Sequence, residues 1–126
     1  MARENRKNIL ILDPEKDTAE LFSRALENHG EGFTCYWVTE PDEARRLMSE
    51  ISFTFVLADV SILQDDRFLL LASVTGRSCA PRVIANGHGN EKTAIKTALE
   101  KGAAGYFIKP VMVCTLRKLI DDFSTP

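Results

Sequence analysis

The feature that most constrains how this chain can fold is a fivefold alternation of short apolar runs with amphipathic stretches. Residues 9–12 (ILIL), 33–38 (FTCYWV), 53–58 (FTFVLA), 82–85 (RVIA) and 105–109 (GYFIK) have strand length and are rich in β-branched and aromatic residues. Runs apolar on both faces are typical of central strands in a parallel sheet covered by helices on each side. Between them, apolar residues fall at helical spacing: Leu21, Phe22, Ala25 and Leu26; then Ala44, Leu47, Met48 and Ile51. The same holds for Ala94, Ile95, Ala98 and Leu99, and for Met112, Leu116, Leu119, Ile120 and Phe123. Residues 68–74 predict a short apolar helix ended by Gly76, and the fourth helix is expected over about 91–101. Asp17-x-x-Glu20 and Thr39-x-x-Asp42 predict capped starts for the first two helices, with Gly30 and Gly102 as stops. Strands alternating with helices in this way predict an α/β, doubly wound parallel sheet of five strands.

A length of 126 residues fits a single domain and a core that needs neither disulfide nor metal staples. The ordered core is expected over about 8–123, and Ser124-Thr125-Pro126 reads either as a terminus or as the start of a linker to an output domain. A net charge of −2 leaves no basic footprint for direct nucleic-acid binding. No apolar run approaches the ~20 residues that span a bilayer, and the polar stretch 1–8 leads into no signal-peptide core. The expected location is therefore cytoplasmic. Cys35, Cys79 and Cys114 are odd in number and form no C-x-x-C, as expected of small apolar residues in a reducing compartment.

In open parallel sheets, ligands sit beyond the carboxyl ends of the strands. Strand one ends in Asp13, strand three in Asp59, strand four in Asn86, and strand five in Lys109-Pro110. Two carboxylates, an amide and an ammonium thus converge on one rim. An acidic pair suits a hard cation such as Mg²⁺, and the lysine can pair with a carboxylate or a phosphoryl oxygen. Taken singly, either aspartate also suits a plain helix cap.

Four segments in this order resemble response-regulator receiver domains. They are Ile9-Leu10-Ile11-Leu12-Asp13, Phe55-Val56-Leu57-Ala58-Asp59-Val60, Val83-Ile84-Ala85-Asn86-Gly87-His88-Gly89-Asn90, and Gly102-Ala103-Ala104-Gly105-Tyr106-Phe107-Ile108-Lys109-Pro110. The resemblance covers nearly the whole chain. It implies the flavodoxin-like (βα)5 fold with strand order 2-1-3-4-5, and a role in two-component phosphorelay signalling rather than as an enzyme. It makes Asp59 the acceptor of a phosphoryl group from a sensor histidine kinase or phosphotransfer protein. Asp13, Asp59 and the backbone carbonyl of Ser61 become ligands of Mg²⁺, and Lys109 the contact to the phosphoryl group. Tyr106 takes the place of the aromatic that switches on activation, although an ordinary surface tyrosine fits it equally. Partners are then the kinase and an output domain or separate protein, with a homodimer also open.

The chain departs from the family pattern at several points. Pro14 stands where a second acid is usual, with Glu15 one place on as a substitute, and Mg²⁺ binding is therefore expected to be weak. Asn86 replaces the usual threonine or serine, and its amide donates a hydrogen bond from a longer side chain. After Asp59, Leu63 replaces proline and Arg67 replaces glycine, so residues 60–67 are expected to form a loop on an altered path. Pro14 and Asn86 keep open an alternative, a degenerate pseudo-receiver that docks partners without phosphate. A flavodoxin-like nucleotide or flavin binder is a remote alternative, because the acidic turn after strand one offers no phosphate cradle.

Of the remaining residues, His88 lacks metal-ligand neighbours, and His29 suits a helix C-terminus through the dipole. Trp37 is expected to pack in or beside strand two. No hydrolase nucleophile–base pair is assembled.

Overall fold

The structure, a computed structural model, describes residues 6–124. Readings that concern residues 1–5 and 125–126 lie outside the described residues. Five strands, β1 (Lys7–Leu12), β2 (Phe33–Val38), β3 (Phe55–Asp59), β4 (Arg82–Gly87) and β5 (Gly105–Ile108), form one parallel sheet in the order β2-β1-β3-β4-β5. The helices are α1 (Lys16–Glu27), α2 (Pro41–Glu50), α3 (Val60–Asp65), α4 (Leu69–Thr75), α5 (Lys92–Glu100) and α6 (Val113–Ser124). This is the expected flavodoxin-like architecture. No described helix is long and apolar enough to cross a membrane.

Strand alternation divides the core in two. Ile9, Ile11, Phe55, Leu57, Ile84 and Phe107 face one side, where α1 supplies Phe22 and Leu26 and α6 supplies Leu116 and Ile120. Leu10, Leu12, Val56, Ala58, Val83 and Ala85 face the other, where they meet residues of α2 to α5. Both faces are therefore dry, which is why the central strands read as unbroken apolar runs.

Several local expectations are corrected. The first two helices begin at Lys16 and Pro41, with Glu15 and Glu40 as N-caps that make no side-chain capping bond. Proline at the first helical position, preset in φ and lacking only an N–H that needs no partner there, starts α2 without a cap from Thr39. Leu21 is 43% exposed at the rim of the α1 face. Met112 precedes α6 and is exposed, so the buried face of that helix begins at Leu116. Residues 60–65, expected as part of a loop, are helical. Gly102 has φ +116, which favours glycine, and a Cβ there would approach Thr75 Cγ2 to 2.7 Å.

Candidate functional site

The site follows from the period of two along the strands. Asp13, Asp59, Asn86 and Lys109 each stand two residues beyond a side chain of the α1/α6 face, namely Ile11, Leu57, Ile84 and Phe107. All four consequently project at the carboxyl end of the sheet on that face. Asp59 lies directly opposite Asn86 in the β3–β4 register, and the Lys109 N–H donates to Gly87 O at 2.8 Å, keeping β5 against β4. Lys109 Nζ donates to Asp13 Oδ2 at 2.6 Å and to Asp59 Oδ2 at 2.5 Å. These residues are nearly inaccessible, from 0% exposed for Asp13 and Asn86 to 6% for Lys109.

One ammonium between two carboxylates leaves the cluster one negative charge. Burial pushes the Asp13 carboxyl up, and the bonds from Lys109 and the Glu15 N–H offset this only in part. Burial also acts to raise Asp59, but Lys109 and Ser61 hydrogen bonds outweigh it and hold Asp59 below the usual carboxylate value. Lys109 is likewise opposed by burial, yet its two carboxylate partners raise it above the ordinary lysine value. Asp59 is thus kept ionised and Lys109 charged.

Asp59 also has the capping role that its residue type allows. It is the N-cap of α3, and its Oδ1 accepts from the Ser61 N–H at 2.8 Å and from the Ser61 hydroxyl. Both carboxylate oxygens are engaged, Oδ1 by Ser61 of α3 and Oδ2 by Lys109 just beyond β5. The chain then leaves α3 through Arg67 and Phe68, with φ of 55° and 58°. Asp66 ties this joint together: its carboxylate accepts from the Leu70 N–H at 2.7 Å and from Arg45 of α2 at 2.9 and 3.1 Å. Gly87 admits α3 to the rim, since a Cβ there would meet Val60 Cγ2 at 2.7 Å.

The structure brings Asp13, Asp59, Asn86 and Lys109 together, with Ser61 bonded to Asp59, and sets the Tyr106 ring apart. Asn86 is fully buried, and neither of its amide atoms has a hydrogen-bond partner among the described residues. Glu15 is exposed and contributes its backbone N–H, which donates to Asp13 Oδ1 at 2.9 Å. Ser61 lies in the first turn of α3, beside Asp59. Tyr106 pairs with Ala85, on the opposite sheet face from Asn86, and is half exposed beside a groove of about 480 Å³ lined by Ile95, Leu99 and Ile108. His29 pairs with Asp121 at 2.7 Å, on α6.

Two contacts escaped the sequence reading. The Ser61 hydroxyl on Asp59 was signalled by the Asp-x-Ser spacing, in which side chain and backbone meet two residues apart. The Trp37 indole N–H donates to the Asp13 backbone carbonyl at 2.8 Å, and nothing in the sequence marks that long-range contact.

An acid–lysine cluster with one carboxylate in excess at the carboxyl rim of this sheet suits a cation, and its lysine can orient an anionic group. The family model described as "Response regulator receiver domain" matches residues 9–121. The alginate biosynthesis transcriptional regulatory protein AlgB of Pseudomonas syringae pv. tomato is 30% identical over 117 residues, covering 92% of this chain and 25% of that protein. Regulatory protein VirG of Rhizobium radiobacter is 24% identical over 110 residues, 87% of this chain and 40% of that protein. The chain therefore spans less than half the length of these relatives. Among solved structures, a response regulator from Thermotoga maritima superposes with a TM-score of 0.83 at 20% identity, covering 95% of this chain and 99% of that one. The fold and the match across residues 9–121 agree, and the chain belongs to the response regulator receiver domain family of two-component signalling.

Proposed function

We propose that this domain accepts a phosphoryl group on Asp59 from the phosphohistidine of a sensor histidine kinase or phosphotransfer protein. The observation that carries the reading is Lys109 bonded to both Asp13 and Asp59. Asp59, kept ionised, is the nucleophile: its carboxylate oxygen forms the new bond to phosphorus while the phosphorus–nitrogen bond of the donor breaks. The leaving electron pair returns to the imidazole. Catalysis of such transfers is mostly positioning and neutralisation of charge, and Lys109 supplies a fixed positive charge at the acceptor.

Receiver domains bind Mg²⁺ in the phosphorylation pocket, and here the hard oxygens of Asp13 and Asp59, with the Ser61 backbone carbonyl, would hold it once the Lys109 ammonium, which both Oδ2 atoms bond, gives way. When bound, the ion would supply positive charge to offset that of the transferring phosphoryl group. Two carboxylates without a third acid make its binding weak. Asp59 is only 3% exposed with both oxygens engaged, so entry of a donor requires Lys109 or Ser61 to release it. Acceptance is accordingly slow.

The orphaned amide of Asn86 favours a second reading, a pseudo-receiver that docks partners without phosphate. Intact-mass measurement after treatment with a small-molecule phosphodonor and Mg²⁺ separates the two. One added phosphate, absent in Asp59→Asn, supports acceptance. No gain under conditions that label an ordinary receiver supports docking alone, and label persisting in Asp59→Asn places the acceptor elsewhere.

A further inference from the structure

The single tryptophan of the chain has no part in phosphoryl transfer as described above, yet it is bonded to the residue on which the cation side of the pocket depends. Asp13 lies just beyond β1. Its N–H donates to Val38 O at 3.2 Å, continuing the β1–β2 ladder by one bond. In a parallel ladder the Asp13 carbonyl would next accept from the backbone two residues beyond Val38. There β2 has ended and Glu40 is already the N-cap of α2. The carbonyl is satisfied from a side chain instead, by Trp37 Nε1 at 2.8 Å.

Every polar atom of Asp13 is then engaged: N–H by Val38, carbonyl by Trp37, Oδ1 by the Glu15 N–H, and Oδ2 by Lys109. Pro14 adds a steric restriction on the backbone of the residue before it. Because Pro14 also removes an acid from this rim, the placement of one carboxylate decides the β1 contribution to the pocket. Trp37 is 40% exposed on the edge strand β2, so a solvent-reachable ring is coupled to a fully buried acid.

We propose that Trp37 is a positioning residue for the phosphorylation pocket, fixing the Asp13 backbone and so the direction in which its carboxylate meets Lys109 and a divalent cation. The proposal rests on the receiver reading for its kinetic arm only. Trp37→Phe keeps an aromatic ring and removes the donor. Benzothienylalanine at position 37 has the shape of tryptophan without the N–H, and it serves if the Phe variant does not fold. The Mg²⁺ concentration giving half-maximal phosphorylation by a small-molecule donor should rise about fivefold, in line with the loss of one hydrogen bond. An unchanged half-saturating Mg²⁺ concentration overturns the proposal, whatever happens to the rate at saturation. If the wild-type protein takes up no phosphate, the receiver reading fails separately, and a crystal structure of the variant decides this one. An Asp13 carboxylate shifted off Lys109 supports positioning, and an unchanged contact overturns it.

Discussion

Lys109 and Asp59 lie 50 residues apart in sequence and meet at 2.5 Å in the buried rim of the sheet. Lys109 is also the cation facing Asp13, so its removal leaves two carboxylates confronting each other without a counter-charge. Breaking a buried ion pair from one side typically costs about 3–5 kcal/mol. Lys109→Met should lower unfolding stability by that order at neutral pH, as read by denaturant titration. An unchanged midpoint would mean that the cluster is solvated or open in solution.

The same cluster sets a pH dependence. Asp59 has a folded pKa below its ordinary 3.8, so its stabilising contribution is present above that value and is lost as pH falls through the lower folded one. Lys109 is raised above its ordinary 10.5, so its contribution is complete below 10.5 and is lost as pH rises through the higher folded value. Asp13 is raised by burial, so its charged form opposes folding at neutral pH, and that cost is relieved as pH falls through its folded pKa. The destabilisation caused by Lys109→Met should therefore shrink as acid protonates the carboxylates. Thermal unfolding of both proteins between neutral pH and pH 4 tests this. A gap that widens in acid would contradict the assignment of charges.

Much of this was legible in the sequence because it depends on a period of two. Asp13, Asp59, Asn86 and Lys109 each follow an unbroken apolar run of strand length, a period of two puts all four on one face, and a parallel sheet brings its strand ends to one edge. The segment after Asp59 was not legible as a helix. Its six residues are too few to display a helical period, and its start depends on a cap by the very aspartate assigned to the site. The Trp37–Asp13 bond was hidden for a different reason: it exists only because β2 ends one bond before β1 needs it.

The joint between α3 and α4 carries a local cost that can be measured. Arg67 adopts φ 55° without being glycine, at the position where the family pattern has glycine. A left-handed conformation costs an L-residue roughly 1–2 kcal/mol, while glycine costs about 0.5–1 kcal/mol more in chain entropy than alanine. Arg67→Gly should accordingly be neutral to stabilising by up to about 1 kcal/mol. A clear loss of stability in calorimetry would show that the Arg67 side chain holds the joint.

Asn86 offers the opposite trade. A buried polar side chain with no partner costs about 1–3 kcal/mol of desolvation, and Asn86 is fully buried with both amide atoms unbonded among the described residues. Asn86→Leu, which keeps the branched shape with larger end groups, should raise the melting temperature of the unphosphorylated protein where the site accepts the added volume, while removing a donor beside Asp59. If the amide also serves the phosphorylated state, the same variant should lose phosphate retention, as followed by intact mass over time. Destabilisation by Asn86→Leu would overturn the reading of the amide as an uncompensated cost.

Pro14 tests how much the pocket depends on a third acid. Its side chain offers no ligand, and neither its position nor that of exposed Glu15 adds charge to the two buried carboxylates. Pro14→Asp places a third acid at the rim, and one added carboxylate ligand should tighten Mg²⁺ by on the order of tenfold, about 1.4 kcal/mol. The variant should also accept phosphate faster at limiting Mg²⁺, because more of the protein holds the ion when the donor arrives. Two opposing effects are built into the change: the added negative charge repels an incoming phosphodonor, and loss of proline frees the turn that holds Asp13. Calorimetric titration with Mg²⁺ isolates the first step from these, and the rate at saturating Mg²⁺ reads the second. Tighter Mg²⁺ with no gain in rate would place the barrier at release of Asp59 from Ser61 and Lys109. Unchanged Mg²⁺ affinity would mean that the turn after β1 does not point its second residue into the pocket.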